Sequence, residues 1–159
     1  MNEIAIDIQH ISHQLHPSKL YYLGLSAAVR DLCHEFARQR EIEVECNVRD
    51  VPVDLDENTT LGLYRTAQEA LRNVTKHSHA HHVKVELGYE SGLVRLRVSD
   101  DGVGFTPHPI GSGNGGLGLV SMHERLRSAG GRCFIWSRPG LGTQVEASVP
   151  VLLRKDATG

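Results

Sequence analysis

A chain of 159 residues holds one domain with a short appendage, at roughly 100–200 residues per domain. Its 40% apolar and 23% charged residues exclude the low-hydrophobicity, high-charge regime in which chains stay disordered. With 17 Lys+Arg against 19 Asp+Glu the formal net charge is -2, so no whole-surface attraction to a phosphate polymer or an anionic membrane is expected. No apolar run approaches the ~18 residues that span a bilayer, and Met1-Asn2-Glu3-Ile4 lacks the basic and apolar regions of a signal peptide. The three cysteines, Cys33, Cys46 and Cys133, form no CxxC pair, so reduced, buried thiols and a reducing, cytoplasmic compartment are expected.

Ile4, Ile8, Ile11 and Leu15 mark one apolar helical stripe that Pro17 interrupts, too short to persist without a partner helix. A second helix is predicted from about Leu23 to Arg40, with Leu25, Val29, Leu32, Cys33 and Phe36 inward. Ile42, Val44, Cys46 and Val48 alternate with polar residues and predict a strand. A third helix follows from about Glu57 to His77. Val83–Tyr89 and Leu93–Ser99 alternate across Glu90-Ser91-Gly92 and read as a hairpin. In residues 100–118 seven of nineteen are Gly and two are Pro, which predicts a long loop. A fourth helix, about Leu119 to Ala129, should end at Gly130-Gly131, and Arg132–Arg138 and Thr143–Val149 should be the last strands. Paired strands separated by helices, without strict βαβ alternation, predict a two-layer α/β sandwich with a mixed sheet of about five strands and three main helices.

Several pieces of this chain carry chemistry. On the third helix, Glu69, Asn73 and Lys76 fall within about 60° of one another at 100° per residue, opposite Ala67, Leu71 and Val74. Such a stripe is either a solvated face or a site. In a site, an amide oxygen and a carboxylate one turn apart suit a hydrated Mg²⁺, and a lysine one turn on suits phosphates. Asp100-Asp101-Gly102-Val103-Gly104-Phe105 places a carboxylate at a strand end before glycines that let the backbone turn beside a ligand; alone it also fits a plain Asp/Gly turn. Gly113, Gly115, Gly116 and Gly118 lead into the fourth helix, and a glycine-rich loop feeding a helix N-terminus is an anion site. Gly142-Thr143 opens the last strand.

In this order and spacing the pieces resemble the ATP-binding domain of sensor histidine kinases, within the Bergerat-fold superfamily shared with gyrase, Hsp90 and MutL. The resemblance covers nearly the whole chain. Leu63 through Ser78 is similar to the N box, Asp100–Phe105 to the G1 box, Gly116–Leu119 to the G2 box, and Gly142-Thr143 to the last ATP-site element. Met122-x-Glu124-Arg125-Leu126 and His16-Pro17-x-x-Leu20 with Leu23-Gly24-Leu25 are similar to the subfamily that partners LuxR-type response regulators, with Ser121 where that subfamily commonly has glycine.

The resemblance implies that Asn73 holds Mg²⁺, that Asp100 accepts a hydrogen bond from the adenine amine and that Thr143 assists there. It places Lys76 against the phosphates and counts His77, Leu117 and Leu119 among the ATP-binding positions. Gly102, Gly104, Gly116 and Gly118 would allow close backbone approach, and roughly Val103–Gly115 would be the ATP lid. Glu69 would support the Mg²⁺ site or act as base.

His10, His13 and His16 lie outside the family's acceptor motif, and the His77-Ser78-His79-Ala80-His81-His82 run is read as N-box ending and connection rather than a metal cluster. The implied organisation is a remnant of the second dimerisation helix at 1–16, an ATP-binding catalytic domain at 17–153 and a tail at 154–159. The implied function is donation of the ATP γ-phosphoryl group to an acceptor histidine missing from this chain, with ATP and Mg²⁺ as cofactors. The implied partners are the kinase's own dimerisation domain and a response regulator, with no nucleic acid. Two alternatives are an anti-sigma-type serine kinase and a nucleotide-dependent binding module without transfer.

Overall fold

The computed structural model describes residues 18–106 and 117–151. The expected 1–16 helix, the tail beyond 151, most of the expected lid and Gly116 lie outside them.

Helix α1, Ser18–Gln39, presents Leu25, Ala28, Val29 and Cys33 to the core. It begins earlier than the Leu23 start expected, because a proline ahead of a first turn costs a helix no hydrogen bond. Gly24, at φ 80 and ψ 170, kinks it and divides a short first segment from the main helix. Strand β1, Glu43–Arg49, returns beneath α1.

Helix α2, Glu57–Asn73, starts at Asp56, whose carboxylate accepts the Thr59 N–H at 2.8 Å. Its core stripe is Leu63, Ala67, Ala70 and Leu71. The third helix was expected to run regularly to His77. Instead its α-helical winding stops at Asn73, and Val74–Ser78 form one wider π-helical turn ending at left-handed His79 (φ 51).

Strands β2, His82–Glu90, and β3, Leu93–Asp100, form the expected hairpin, and positive φ at both Ser91 and Gly92 matches a tight turn to the strand twist. Helix α3, Leu117–Ser128, is followed by β4, Arg132–Ser137, and β5, Thr143–Pro150. The sheet order is β1-β2-β3-β5-β4, with β1 and β2 parallel and every other pair antiparallel. This is the mixed five-stranded sheet with three helices that the pattern predicts.

Register aligns the apolar set of each strand. Cys46, Val85, Val98 and Val145 form one row across the sheet, and Leu87, Leu96, Ala147 and Cys133 another. Those rows and the stripes of α1, α2 and α3 make a single core in which Val29, Leu63, Leu71, Leu87, Leu96, Met122 and Leu126 are fully buried. The other sheet face is mostly polar, with Arg97 Nη2 bridging to Glu146 Oε2 at 2.7 Å, and at its β4 end Phe134 and Trp136 stack on each other in the open.

Candidate nucleotide site

Two groups of functional residues sit on different elements. The first lies on α2, where Glu69 and Asn73 are half-buried, one turn apart and on the polar face. Arg72 Nη1 stands 4.0 Å from Glu69 Oε2, while Asn73 has no side-chain hydrogen bond among the described residues. The Glu69 carboxylate occupies the space beside Gly118 in the first described turn of α3, and a Cβ built at 118 would overlap Oε1 and come within 2.6 Å of Cδ. Gly118 therefore lets α2 and α3 close on each other. Leu117 begins α3 and Leu119 is half-buried against the core.

Lys76 belongs to the π-helical turn and is exposed. The 100° rule that aligned it with Glu69 and Asn73 does not hold through that turn. The backbone of His77 lies in the same turn, and its side chain is outside the described part.

The second group sits where β3 ends. Asp100 pairs in the ladder with Thr143 of β5 and with Val83 of β2. Its Oδ1 accepts the Gly102 N–H at 2.8 Å. Burial pushes the Asp100 carboxyl above its ordinary value, against the Gly102 and Thr143 N–H bonds that favour the charged form. A half-buried carboxylate with two oxygens still has lone pairs for an amine N–H.

Ser137, which the sequence reading missed, organises the loops around Asp100. Its hydroxyl accepts the Phe105 N–H at 2.8 Å, reaches the Gly142 carbonyl at 3.0 Å and lies 2.8 Å from Thr143 Oγ1. Gly140 N–H donates to the Val103 carbonyl at 2.6 Å. Gly104 and Gly142 have φ of 65 and 77, and a Cβ on either would overlap a backbone carbonyl, that of Arg138 or Asp100 respectively. The lack of a side chain at Gly104 is thus explained by protein packing. Gly102 is buried.

Asp101 was read only as part of the turn. Its Oδ1 accepts the N–H groups of His81 and His82 at 2.9 and 3.0 Å, tying the start of β2 to the end of β3. Those bonds hold its carboxyl below the ordinary range, the His82 bond contributing most.

Arg65, also missed, lies one turn before Glu69, 6% exposed, with Nη1 donating to Gln68 Oε1 at 3.0 Å and Nε buried without a partner among the described residues. It lines a groove of about 820 Å³ between the start of α1, Val51–Leu55 and the start of α2, which contains none of the residues expected at the nucleotide. No signal in the pattern marks Ser137 or Arg65, since one is an ordinary strand serine and the other an ordinary helix arginine.

Residues 58–153 match the family described as histidine kinase-, DNA gyrase B- and HSP90-like ATPase, and the chain belongs to that family. Among curated relatives it is 38% identical over 151 residues to "Sensor histidine kinase MctS" of Rhizobium johnstonii, covering 94% of this chain and 32% of that protein. It is 36% identical over 137 residues to "Sensor histidine kinase LiaS" of Bacillus subtilis, covering 86% of this chain and 37% of that protein. The chain thus spans about a third of the length of these relatives. Among solved structures, the blue-light activated histidine kinase of Erythrobacter litoralis EL346 aligns with TM-score 0.66 at 22% identity, over 82% of this chain and 43% of that one. A full-length ShkA structure in complex with AMPPNP aligns with TM-score 0.63 at 24% identity, over 80% and 29%. These structures share the fold.

Proposed function

We propose that this chain is the ATP/Mg²⁺-binding catalytic domain of a two-component sensor histidine kinase and donates the ATP γ-phosphoryl group to a histidine on the kinase's dimerisation domain, which then serves a response regulator. The observation that carries the reading is Asp100, a half-buried carboxylate fixed beside Thr143 at the end of β3, in a chain whose α2 carries Glu69 and Asn73 together on one face. The donor set fits the ligand. Asp100 has acceptor capacity for an amine, and the amide of Asn73 beside the carboxylate of Glu69 is a hard oxygen pair suited to Mg²⁺.

In this reading Asp100 and Thr143 orient the purine, and Gly102, Gly104, Gly116, Leu117, Gly118 and Leu119 frame the nucleotide. Asn73 holds Mg²⁺ with Glu69 behind it, and Lys76 and His77 face the phosphates. Mg²⁺ would neutralise phosphate charge as the γ-phosphoryl group moves. The protein's part is positioning and charge compensation. Residues 1–16 serve as the end of the second dimerisation helix, 17–153 as the catalytic domain and 154–159 as a tail. The proposed site of action is the cytoplasm; among the described residues no helix is long and apolar enough to cross a membrane.

The experiment is ATP calorimetry on the parent, Asp100→Asn and Asn73→Ala, each with and without Mg²⁺. Asp100→Asn should lose affinity in both conditions by about 1–3 kcal/mol, the cost of one mispaired buried polar group. Asn73→Ala should lose the gain that Mg²⁺ confers and keep the Mg²⁺-free affinity. No ATP binding by the parent would overturn the reading. With an acceptor-helix fragment added, acid-labile phosphate on histidine supports transfer. Phosphoserine would favour a serine kinase, and no phosphoprotein would favour a binding module.

A further inference from the structure

Ser137, Thr143 and Asp100 stand side by side on three neighbouring strands. Register pairs Ser137 with Thr143 across β4 and β5, and Thr143 with Asp100 across β5 and β3. Directly paired residues project to the same side of a sheet, and this row continues the core face of Ile135, Val145 and Val98, two residues away on each strand. That face therefore ends in a line of three polar side chains.

The positions of their hydrogens follow from the partners. Ser137 Oγ has one hydrogen and two lone pairs, and three groups surround it. The Phe105 N–H at 2.8 Å can only donate, and the Gly142 carbonyl at 3.0 Å can only accept. The serine hydrogen goes to Gly142, and one lone pair takes the Phe105 N–H. What remains for Thr143 Oγ1, 2.8 Å away, is the second lone pair, so Thr143 is the donor of that bond. The reverse assignment would set the carbonyl oxygen of buried Gly142 against the serine oxygen at 3.0 Å with no hydrogen between them. Having given its hydrogen to Ser137, Thr143 Oγ1 has only lone pairs to offer elsewhere. Asp100 beside it, as a carboxylate, has no hydrogen to give either.

We propose that Ser137 is a positioning residue that sets nucleotide specificity: it holds the Thr143 hydroxyl as an acceptor next to Asp100, so that the base pocket takes a purine with an exocyclic amine and rejects one with an exocyclic carbonyl. The role rests on the reading of Asp100 and Thr143 as the groups that meet the purine. An amine brings N–H groups to two acceptors. A carbonyl oxygen in its place brings only lone pairs, and a site built for hydrogen-bond donors discriminates strongly against a ligand that lacks them. Without the Ser137 hydroxyl, Thr143 is free to turn its hydrogen toward a carbonyl oxygen, and one of the two obstacles to that ligand disappears.

The test is calorimetric binding of ATP and of inosine triphosphate, at fixed Mg²⁺, to the 159-residue chain and to its Ser137→Ala, Thr143→Val and double variants. The quantity read is the ratio of the two dissociation constants, because a general loosening of the loops weakens both nucleotides alike and leaves the ratio in place. The parent should prefer ATP by about a hundredfold, a factor of about ten for each mispaired acceptor. Ser137→Ala should narrow that preference about tenfold, mainly by tighter inosine triphosphate binding. Thr143→Val keeps the side-chain shape without the lone pairs and should narrow it through weaker ATP binding. In the Thr143→Val background, Ser137→Ala should change the ratio no further.

An unchanged ratio in a Ser137→Ala variant that binds ATP, or the same Ser137→Ala effect with Val at 143, would overturn the proposal and leave the ATP reading standing. Absence of ATP binding by the parent would overturn both. If Ser137→Ala does not fold, Thr143→Val decides: ATP affinity lost with inosine triphosphate affinity kept or raised supports the acceptor role, and equal loss for both nucleotides overturns it.

Discussion

Gly118→Ala probes the junction on which the α2 side of the site depends. The new methyl would meet Glu69 Cδ at 2.6 Å, the far end of a flexible side chain, so Glu69 turns away and the backbone stays in place. Holding Glu69 off its rotamer costs about 0.5–1.5 kcal/mol. Leaving the N-terminal turn of α3 costs about 0.3–1 kcal/mol more. Giving up the 4.0 Å contact with Arg72 costs about 0.2–0.5 kcal/mol.

Against these costs, alanine gains about 0.8–1 kcal/mol over glycine inside a helix. Gly118→Ala should therefore lower stability by about 0–2 kcal/mol in the parent, with the propensity gain offsetting part of the clash. In a Glu69→Ala background the obstacle is gone, and the same change should raise stability by about 1 kcal/mol. The assay is urea unfolding of the parent, both single variants and the double variant, with a coupling energy of about 1–3 kcal/mol expected. Additivity within about 0.5 kcal/mol would refute the contact.

Ser137→Ala removes the acceptor of the Phe105 N–H and should cost about 1–3 kcal/mol, with faster hydrogen exchange at the Phe105 amide and unchanged exchange in β2. Asp101 acts through pH. Its folded-state pKa is held below the ordinary 3.8 by the His82 and His81 N–H bonds, so its stabilisation is complete above about pH 3.8 and is lost as pH falls through the lower folded value. Asp101→Asn should flatten that acid limb of the unfolding-temperature profile. Asp100 has the opposite sign: burial raises its pKa, so its charge opposes folding at neutral pH and that penalty is relieved on acidification. Asp100→Asn should consequently melt no lower than the parent at pH 7 while losing ATP affinity, and a lower melting temperature would contradict the burial argument.

The local pattern of the chain was sufficient wherever chemistry depends on neighbours in sequence. Apolar alternation in 43–49, 82–90, 93–100 and 143–150 marks four of the five strands that share the central rows, because a pleated strand exposes its faces with period two. Glu69 and Asn73 share a face because they are four residues apart on a helix, and Asp100-x-Gly102-x-Gly104 marks a strand end that turns.

The same local rules missed two boundaries. Regular winding was expected to His77, whereas a π-helical turn begins at Val74. The second helix was expected from about Leu23, whereas it runs from Ser18. Tertiary structure alone decided which distant residues meet: Ser137 with Phe105, Asp101 with His81 and His82, and Gly118 with Glu69. Helix and strand periodicities are set by the backbone over a few residues and are legible one element at a time. Pairings between elements follow from register and packing of the whole core, which no single segment encodes.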